Sequence, residues 1–412
     1  MSKVKRIKGF ADMFSPESDT FTFMESVARD VFSSFGYKEL RTPIIERTEL
    51  FKRSIGDETD VVQKEMYTFD DRKGRSLTMR PEATAGVMRA YIEGNVNQSE
   101  QISKLFTFGP MFRYERPQKG RMRQFHQINC ECLGPDEAHA DAEVILMLMT
   151  FLTQIGLKEL TLEVNTLGCR DCRPKYNEAL RSFLANLNKD ELCEDCRRRM
   201  DTNPLRVLDC KVPACKALTE SAPTIIEHAC DTCRAHHDKV LSTLTAANVP
   251  FVQNDRLVRG LDYYNRTTFE VVSNAIGSQS SVAGGGRYDG LIKQLGGADV
   301  PGIGFACGME RLALMLGERD VAQPDFYIAV LDEAGLEHGL MLAQTLRLAG
   351  KKGDVSFAAK SMKAQMRQAG KKGARKALIL GGDELAAKTV VVKDMESGEQ
   401  VTVAQADILS HM

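Results

Sequence analysis

The chain lacks the long apolar segments that mark exported and membrane-spanning proteins. Its opening residues, MSKVKRIKGFADMF, contain no apolar run of the kind that a secretory signal needs. The longest apolar block, Val144 to Leu152, is interrupted by Thr150 and is too short to cross a bilayer. We therefore expect a cytoplasmic protein with no membrane partner.

The sequence also has little net charge and no internal repeat or low-complexity tract. Its 55 Lys and Arg residues balance 56 Asp and Glu residues, and 43% of the 412 residues are hydrophobic, which predicts two or three domains with well-formed cores. One local exception lies between Arg347 and Lys376, where ten basic residues meet a single acidic one, Asp354. This stretch is either a surface for an acidic partner or a merely solvated face.

Eleven cysteines stand out in a chain expected to stay in a reducing compartment, where thiols and metal ligands are commoner than disulfides. Eight of them lie between residues 169 and 233, as three CxxC pairs plus Cys210 and Cys215. Two thiolates at this spacing can reach one tetrahedral zinc ion. One interpretation is a structural zinc site; the other is a set of reduced, partly buried thiols. For the zinc site we select Cys193, Cys196, Cys230 and Cys233.

Hydrophobic periodicity divides the chain into three parts. Residues 1–324 alternate strands and helices and predict an α/β (α+β) domain built on an antiparallel or mixed sheet. Residues 168–248 are helical, charged and rich in cysteine, and they predict an insertion within that domain. Residues 325–412 follow a Gly-rich and acidic stretch and predict a small α/β domain.

Two local patterns in the first 90 residues predict a strand and a helix start. Residues Tyr37 to Glu46 are typical of a strand, but Pro43 cannot donate to a ladder, so this strand is predicted at a sheet edge or a subunit boundary. After a hairpin ending near residue 80, a helix is predicted whose N-terminus lies close to Glu82 and Thr84.

The segment from Gly109 to Glu131 carries charged and polar side chains at alternate positions, and packing alone does not explain them. It predicts two strands, the first placing Arg113 and Glu115 on one face. The second strand places four more side chains on one face: Phe125, Gln127, Asn129 and Glu131. The loop between them adds four cations: Arg116, Lys119, Arg121 and Arg123. A half-solvated hairpin is one interpretation, but this much positive charge favours a triphosphate site.

A second cation, Arg259, lies in the apolar sequence LVRGLDYYNRTTFE. It is either a buried residue paired with Asp262 or a cation that faces the same pocket as Arg113. In the second case two guanidinium groups would flank one phosphate. The neighbouring Tyr263 and Tyr264 would form a wall with hydroxyl groups for a small polar ligand.

A third cation, Arg311, follows a glycine-rich strand in PGIGFACGMERLALML. The helix is predicted to begin near Gly308, so Arg311 lies in its first turn. A cation there opposes the helix dipole unless an anion lies against it. Arg311 is therefore a candidate ligand for an anion.

These elements together resemble class II aminoacyl-tRNA synthetases, and among them the histidyl-tRNA synthetases, over nearly the whole chain. The strand with Pro43 resembles motif 1 at the dimer interface. The segment from Gly109 to Glu131 resembles motif 2, and PGIGFACGMERLALML resembles motif 3. LVRGLDYYNRTTFE and GGGRYDGL are similar to the two signature peptides of the histidine enzymes.

The resemblance implies a histidine-tRNA ligase that is a homodimer. L-Histidine and ATP, with Mg²⁺, would give histidyl-adenylate and pyrophosphate, and the histidyl group would then pass to the 3′ end of tRNA(His). No covalent nucleophile from the protein is needed, since positioning and charge neutralisation dominate this chemistry.

The same resemblance implies roles for individual residues. The catalytic residues would be Arg259, Arg113 and Gln127. The histidine site would comprise Glu82, Ala83, Thr84, Gln127, Glu131, Arg259, Tyr263 and Tyr264. The ATP site would comprise Arg113, Glu115, Arg121, Phe125 and Arg311. The tRNA contacts would be Arg116 and Gln118 at the acceptor stem and Lys360, Lys363 and Arg367 in a C-terminal anticodon-binding domain. Ala83 departs from the glycine usual in the family, and its methyl group could crowd the ligand.

Two other functions fit part of the sequence. A catalytically silent relative, such as the synthetase-like regulatory subunit of the first enzyme of histidine biosynthesis, would lack the Arg259 peptide and the C-terminal domain, and both are present here. A zinc-dependent nucleic-acid-binding protein would explain the CxxC pairs and the basic stretch, but it leaves Arg113, Arg259 and Arg311 without a purpose.

Overall fold

The alternating segment around residue 120 forms the hairpin predicted for it, at the centre of the first of two compact units. The computed structural model describes residues 3–57, 59–261, 263–276, 281–317 and 323–412. The chain divides into an N-terminal unit, residues 1–319, and a C-terminal unit, residues 320–412. None of the helices in the described residues is both long and apolar enough to span a membrane.

The described residues of the N-terminal unit form twelve α-helices and eleven strands, besides short π and 3-10 segments. The helices are α1 (Glu17–Ser34), α2 (Thr48–Ile55), α3 (Thr84–Glu93), α4 (Val96–Ser99), α5 (Ala138–Gln154), α6 (Cys172–Ala185), α7 (Glu194–Thr202), α8 (Leu205–Leu208), α9 (Pro213–Leu218), α10 (Asp231–Ala246), α11 (Leu291–Gln294) and α12 (Met309–Leu316). The strands are β1 (Lys38–Glu39), β2 (Ile45–Arg47), β3 (Tyr67–Asp70), β4 (Ser76–Met79), β5 (Ser103–Phe112), β6 (Gln124–Leu133), β7 (Thr161–Thr166), β8 (Val252–Gln253), β9 (Asn265–Val272), β10 (Ser281–Arg287) and β11 (Gly302–Gly308).

Eight of these strands form one mixed sheet in the order β1-β5-β6-β11-β10-β9-β7-β8. The central strands are antiparallel, and only the outer pairs β1–β5 and β7–β8 are parallel. A separate three-stranded sheet has the order β2-β4-β3. The prediction of a domain built on an antiparallel or mixed sheet is confirmed, and helices α6 to α10 lie between β7 and β8.

The prediction of one strand from Tyr37 to Glu46 is wrong, because that segment serves two sheets. β1 ends at Glu39, and β2 begins at Ile45 in the three-stranded sheet. Pro43 lies between them, where its lack of an N–H group costs no ladder bond. Both short strands lie at sheet edges, as Pro43 predicted.

Within the apolar sequence LVRGLDYYNRTTFE, the strand begins only at Asn265. Successive side chains of a strand point to opposite faces of the sheet. Tyr263 and Tyr264 instead both line one cavity, with ring centroids 4.6 Å apart. The irregular backbone before β9 is what allows two adjacent tyrosines to share a site.

The main core lies on one face of the large sheet, under α1, α5 and α10. Phe32 of α1 packs against Phe151 of α5 at 5.5 Å and against Phe305 of β11 at 6.0 Å between ring centroids. Along β6, Cys130 belongs to this core, whereas Glu131 lines a cavity on the other face. Strand alternation thus separates packing from polar chemistry.

A buried ion network ties this core to the sheet. The fully buried Arg287 of β10 donates from Nε to Asp141 Oδ1 of α5 at 3.1 Å. Asp141 also bonds His236 Nε2 of α10 at 2.7 Å. Burial alone would raise the pKa of Asp141, but these two partners hold it below its usual value. Removing Arg287 would leave a carboxylate buried without its cation, which is strongly destabilising.

Over residues 323–412, the C-terminal unit is a five-stranded sheet with three α-helices and two short 3-10 helices. Its elements are β12 (Phe326–Val330), α13 (Leu336–Leu348), β13 (Gly353–Val355), α14 (Met362–Lys372), β14 (Lys376–Leu380), α15 (Gly382–Ala387), β15 (Thr389–Asp394) and β16 (Gln400–Ala404). The strand order is β13-β12-β14-β15-β16, and β12 is parallel to both of its neighbours. This is the small α/β architecture that the alternating apolar runs predicted.

Gly304 of β11 lies where the sheet leaves no room for a side chain. A Cβ added there lies 1.9 Å from Glu131 Oε2 and 2.4 Å from the carbonyl oxygen of Cys130. The second contact is with the backbone of the neighbouring strand, which cannot rotate away. We expect Gly304→Ala to lower the free energy of unfolding by about 1–3 kcal/mol or more, measured by urea titration.

Gly308→Ala is the matched control, because Gly308 lies on the same strand and its added Cβ has no neighbouring atom within 4 Å among the described residues. Equal stability of the two variants would show that the strands separate more easily than this packing implies.

Candidate active site

A cavity of ≈ 440 Å³ lies on the polar face of the large sheet. Four arginines from outside the helical insertion line it: Arg113, Arg121, Arg259 and Arg311. They come from the end of β5, the following loop, the segment before β9 and the first turn of α12. The structure therefore brings together in one cavity the three cations that sequence analysis singled out as distant in the chain.

Glu82 anchors the start of α3. Its carboxylate accepts from the backbone N–H groups of Thr84 at 2.7 Å and of Ala85 at 3.0 Å, which places an anion at the positive end of the helix. Burial raises the pKa of Glu82 although these donors and Arg113 oppose the shift. Glu82 and Thr84 both line the cavity.

Ala83 is the one residue of the predicted histidine site that does not line the cavity. Its side chain is fully buried, and it caps the N-terminus of α3. A buried side chain outside the cavity lining argues against the expectation that its methyl group crowds a ligand.

Glu131 of β6 lies deeper, on the same wall. Thr84 donates its hydroxyl to Glu131 Oε1 at 2.7 Å, and Tyr288 donates its hydroxyl to Glu131 Oε2. Burial raises the pKa of Glu131 to about 8. Gly304 lies against the same carboxylate, so a side chain there would displace it.

Three tyrosines form the aromatic wall. The ring of Tyr263 lies 4.6 Å from that of Tyr264 and 5.8 Å from that of Tyr288. Sequence analysis chose the first two and missed Tyr288, although its place directly after Gly284–Arg287 was a usable signal. Asp262, the alternative partner for Arg259, lies outside the described residues.

Two amide oxygens in the cavity have no donor. Gln127 Oε1 and Asn129 Oδ1 are buried, and neither finds a hydrogen-bond partner among the described residues. An unsatisfied buried acceptor costs about 1–3 kcal/mol, so such atoms are kept where a ligand supplies the missing N–H or O–H group. Sequence analysis gave a role to Gln127 and only a place on the polar face to Asn129.

Arg259 contacts a carboxylate, an aromatic ring and a strand that has glycine at the point of contact. Its Nη1 donates to Glu270 Oε1 at 3.2 Å, and its guanidinium carbon lies 5.7 Å from the centroid of the Tyr264 ring. A Cβ on Gly284 would lie 2.5 Å from Nη1, so only glycine leaves room for the guanidinium. Glu270 was missed because no sequence pattern indicates that it contacts Arg259, eleven residues before it in the chain.

Arg113 has a different environment. Its Nε donates to the carbonyl oxygen of Pro81 at 2.9 Å, and its guanidinium carbon lies 5.5 Å from the centroid of the Phe125 ring. No carboxylate forms an ion pair with it within the described part of the chain. Burial lowers the pKa of Arg113, which shows a charge held in a poorly solvated place. An anionic ligand would relieve that cost.

The remaining two cations have local partners. Arg121 forms an ion pair with Glu115, also predicted for the nucleotide site. Arg311 lies in the first turn of α12, as expected, and its Nη1 donates to the carbonyl oxygen of Ser281 at 2.6 Å. Both guanidinium groups therefore have fixed positions at the cavity wall.

The predicted tRNA contacts lie elsewhere. Arg116 and Gln118 are exposed in the loop between β5 and β6, outside the cavity. Lys360, Lys363 and Arg367 are exposed in the C-terminal unit, the last two on α14. Four residues apart on a helix, Lys363 and Arg367 share one face.

The cysteines of the insertion form two clusters, and the predicted grouping is wrong. Within each cluster the four Sγ atoms lie within 4.8 Å of one another. The base cluster is Cys169, Cys172, Cys230 and Cys233, and the lobe cluster is Cys193, Cys196, Cys210 and Cys215. The predicted zinc site combined one pair from each, because sequence spacing shows the CxxC pairs but not which pairs meet in space.

The insertion also contributes two cations to the cavity wall, Arg206 and Lys211. Sequence analysis missed both, since each lies in a charged helical region with no motif around it. Arg206 is paired with Asp209 at 3.6 Å.

The raised pKa of Glu131 predicts a pH-dependent stability. The carboxyl is protonated in the folded chain up to about pH 8 but ionises near 4.5 when exposed, so the folded state holds an extra proton between these values. Stability from this group is full at low pH and is lost as pH rises through that window. We expect the wild-type free energy of unfolding to fall, relative to Glu131→Gln, by up to several kcal/mol between about pH 5 and about pH 8.

The measurement is urea titration of both proteins across this pH range. The variant carries every other titrating group and is its own matched reference. Parallel pH profiles would contradict a neutral Glu131 in the folded protein.

Comparison with known proteins identifies the family. A family model described as histidyl-tRNA synthetase matches residues 9–312, and one described as an anticodon binding domain matches residues 325–412. The histidine–tRNA ligase of Oleidesulfovibrio alaskensis is 72% identical over 407 residues, covering 98% of each chain. That of Nitratidesulfovibrio vulgaris strain Hildenborough is 69% identical over 412 residues, covering 100% of this chain and 99% of its own.

A solved structure agrees with these relatives. Apo histidyl-tRNA synthetase of S. aureus has a TM-score of 0.83 and 34% sequence identity, and the match covers 100% of this chain and 99% of that one. With the cavity, its arginines and the two matched segments, the chain belongs to the histidyl-tRNA synthetase family of class II aminoacyl-tRNA synthetases.

Proposed function

We propose that the chain is a histidine-tRNA ligase that activates L-histidine with ATP and transfers it to the 3′ end of tRNA(His). The observation that carries the proposal is the set of five guanidinium groups around a cavity that also holds buried carboxyl groups and unsatisfied amide oxygens. Guanidinium groups bind a polyphosphate. Carboxyl groups and free amide oxygens accept hydrogen bonds from a small amino acid with several N–H donors.

Histidine is placed against the carboxyl-rich end of the cavity. Glu82 and the free acceptor of Gln127 take its ammonium group, which offers three donors. The hydroxyls of Tyr263 and Tyr264 and the carboxyl of Glu131 read the imidazole. Because Glu131 is protonated near neutral pH, it can donate to one imidazole nitrogen, which an ionised carboxylate cannot.

ATP is placed along the arginines. Phe125 and Arg311 hold the adenine between them, and Arg121 with Glu115 lies towards the outer phosphates. Arg113 and Arg259 flank the α-phosphate. The Tyr264 ring and Glu270 on one side and the Phe125 ring on the other keep these two cations in place before ATP arrives.

The first step is an in-line displacement. A carboxylate oxygen of histidine attacks the α-phosphorus, and the bond from that phosphorus to the bridging oxygen of pyrophosphate breaks, leaving the electron pair on pyrophosphate. Arg113 and Arg259 neutralise the charge that develops on the α-phosphate oxygens. In the second step the terminal hydroxyl of tRNA attacks the acyl carbon, and AMP leaves.

Magnesium enters with ATP in this proposal. Glu65 and Glu115 line the cavity and offer carboxylate oxygens, the ligands that Mg²⁺ prefers. The ion would neutralise charge on the outer phosphates. The residues described above position the two substrates.

The partners follow from the same proposal. Arg116 and Gln118 approach the acceptor stem from the loop between β5 and β6, and Lys360, Lys363 and Arg367 contact phosphates in the anticodon arm. Residues 1–324 act as the catalytic domain, with residues 168–248 as its insertion, and residues 325–412 as the anticodon-binding domain. The protein works as a homodimer in the cytoplasm.

Pyrophosphate exchange into ATP tests the first step. We expect exchange with L-histidine and with none of the other nineteen amino acids. Arg259→Ala should lower histidine-dependent exchange by about 10²–10³-fold, because the lost cation acts on transition-state charge. The assay is exchange of labelled pyrophosphate, with far-ultraviolet circular dichroism to confirm the fold.

Arg72→Ala is the control, since Arg72 is exposed in the turn between β3 and β4. It should keep full exchange. Near-normal exchange in Arg259→Ala would refute the role of Arg259, and a response of the unmodified protein to another amino acid would overturn the substrate assignment.

The basic face of α14 gives a separate prediction. The double variant Lys363→Ala and Arg367→Ala should raise the KM for tRNA(His) several-fold and lower the salt dependence of tRNA binding by about two ions, because two phosphate contacts are lost. Pyrophosphate exchange should not change, since it needs no tRNA.

Lys388→Asn is the control for charge removal, because Lys388 is exposed in the same unit with a left-handed backbone that asparagine accepts. An unchanged KM for tRNA in the double variant would place the tRNA contacts on another surface.

A further inference from the structure

Eight cysteines take no part in the chemistry proposed above. They form the base cluster and the lobe cluster of the insertion, and none of the eight lines the catalytic cavity. Four of the eight side chains are buried, and all eight are free thiols. Two separate groups of four thiols within one segment of about 65 residues call for a physical explanation.

The spacing of the sulfur atoms fits one metal ion per cluster. Four thiolates arranged as a tetrahedron around zinc at about 2.3 Å lie about 3.8 Å from one another. In the base cluster, Cys172 Sγ lies 3.5 Å from Cys169 Sγ and 3.9 Å from Cys233 Sγ. In the lobe cluster, Cys193 Sγ lies 3.8 Å from Cys210 Sγ.

Each CxxC pair opens a helix. Cys172 is the first residue of α6, Cys193 caps the N-terminus of α7, and Cys230 caps the N-terminus of α10. The positive end of a helix favours the thiolate, which is the form that binds zinc. The second cysteine of every pair is followed directly by arginine, at residues 173, 197 and 234, so each pair has a positive charge next to it in the chain.

Backbone donors point at the sulfur atoms as well. The N–H group of Cys230 donates to Cys172 Sγ at 3.1 Å, and that of Cys193 donates to Cys215 Sγ at 3.2 Å. Both bonds run between different segments of a cluster. Such N–H groups form the outer shell that orients metal ligands and stabilises their charge.

Other uses of the thiols fit less well. A disulfide requires sulfur atoms about 2 Å apart, and the closest pair given above is at 3.5 Å. A cluster of several iron atoms spreads its cysteines over different irons, whereas all four sulfurs here lie within 4.8 Å. Tetrahedral sulfur coordination of one ion remains, and zinc is the usual occupant of a closed four-cysteine site.

We propose that the insertion binds two structural zinc ions, one in the base cluster and one in the lobe cluster. The base cluster joins the first turn of α6 to the first turn of α10 and so closes the insertion where it leaves and rejoins the sheet. The lobe cluster joins the start of α7 to the segment 210–215. Binding releases the thiol protons, and the zinc keeps its charge and oxidation state throughout.

The lobe cluster also bears on the cavity. Cys210 immediately precedes Lys211, and Arg206 lies four residues before the same ligand; both cations line the cavity. A metal ion at this cluster fixes the segment that presents them. The second ion is thus a positioning element for two cations of the catalytic cavity.

The test is metal analysis by inductively coupled plasma mass spectrometry on full-length protein purified without chelator. We expect two zinc ions per chain. The double variants Cys193→Ser with Cys196→Ser and Cys230→Ser with Cys233→Ser should each hold one. The control, Cys132→Ala with Cys307→Ala, removes two core thiols outside the clusters and should keep two.

The unmodified protein decides the question even if a variant fails to fold. Zinc content near zero or one per chain, or iron in place of zinc, would overturn the proposal. After exchange of zinc for cobalt, we expect the visible absorption of a tetrahedral cobalt–thiolate site at two equivalents per chain, and its absence would contradict four-sulfur coordination.

Discussion

The site depends on two places where the central strands carry no side chain. Gly284 lies under the guanidinium of Arg259, and Gly304 lies under the carboxyl of Glu131. In each case a single added carbon would occupy the position of the functional group. A cation and an acid can therefore rest directly on the peptide planes of adjacent strands, and the cavity above them stays open for a ligand. The antiparallel sheet supplies both the floor of the site and its rigidity.

The arginines illustrate a conflict between stability and function. Arg121 and Arg259 have carboxylate partners, Arg311 has a backbone carbonyl, and Arg113 has a carbonyl and an aromatic ring. Several positive charges in one poorly solvated cavity repel one another and are costly to bury. The rest of the sheet compensates on its other face, where a continuous aromatic and aliphatic core packs against helices α1, α5, α10 and α12. Charge is thus concentrated where the fold can tolerate it.

Prediction from the sequence succeeded where a structural feature depends on neighbouring residues in the chain. The β5–β6 hairpin, the start of α3 at Glu82 and Thr84, and the position of Arg311 all follow from local periodicity and helix signals. It failed where partners come from distant segments. Glu270 had no local mark, and the three CxxC pairs could combine in several ways that only the tertiary structure resolves. The strand predicted through Pro43 failed because two sheets compete for one segment.

The position of the insertion constrains how the sheet assembles. It leaves after β7 and returns before β9, yet these strands are direct neighbours, with Thr166 opposite Thr267. Closing a flexible loop of about 100 residues to form that pairing carries a large entropic cost and slows folding. The cost shrinks if the intervening helices have already brought the loop's two ends together. The order of events in folding would then run from the inserted helices to the edge of the sheet, with β9 and β7 joining late.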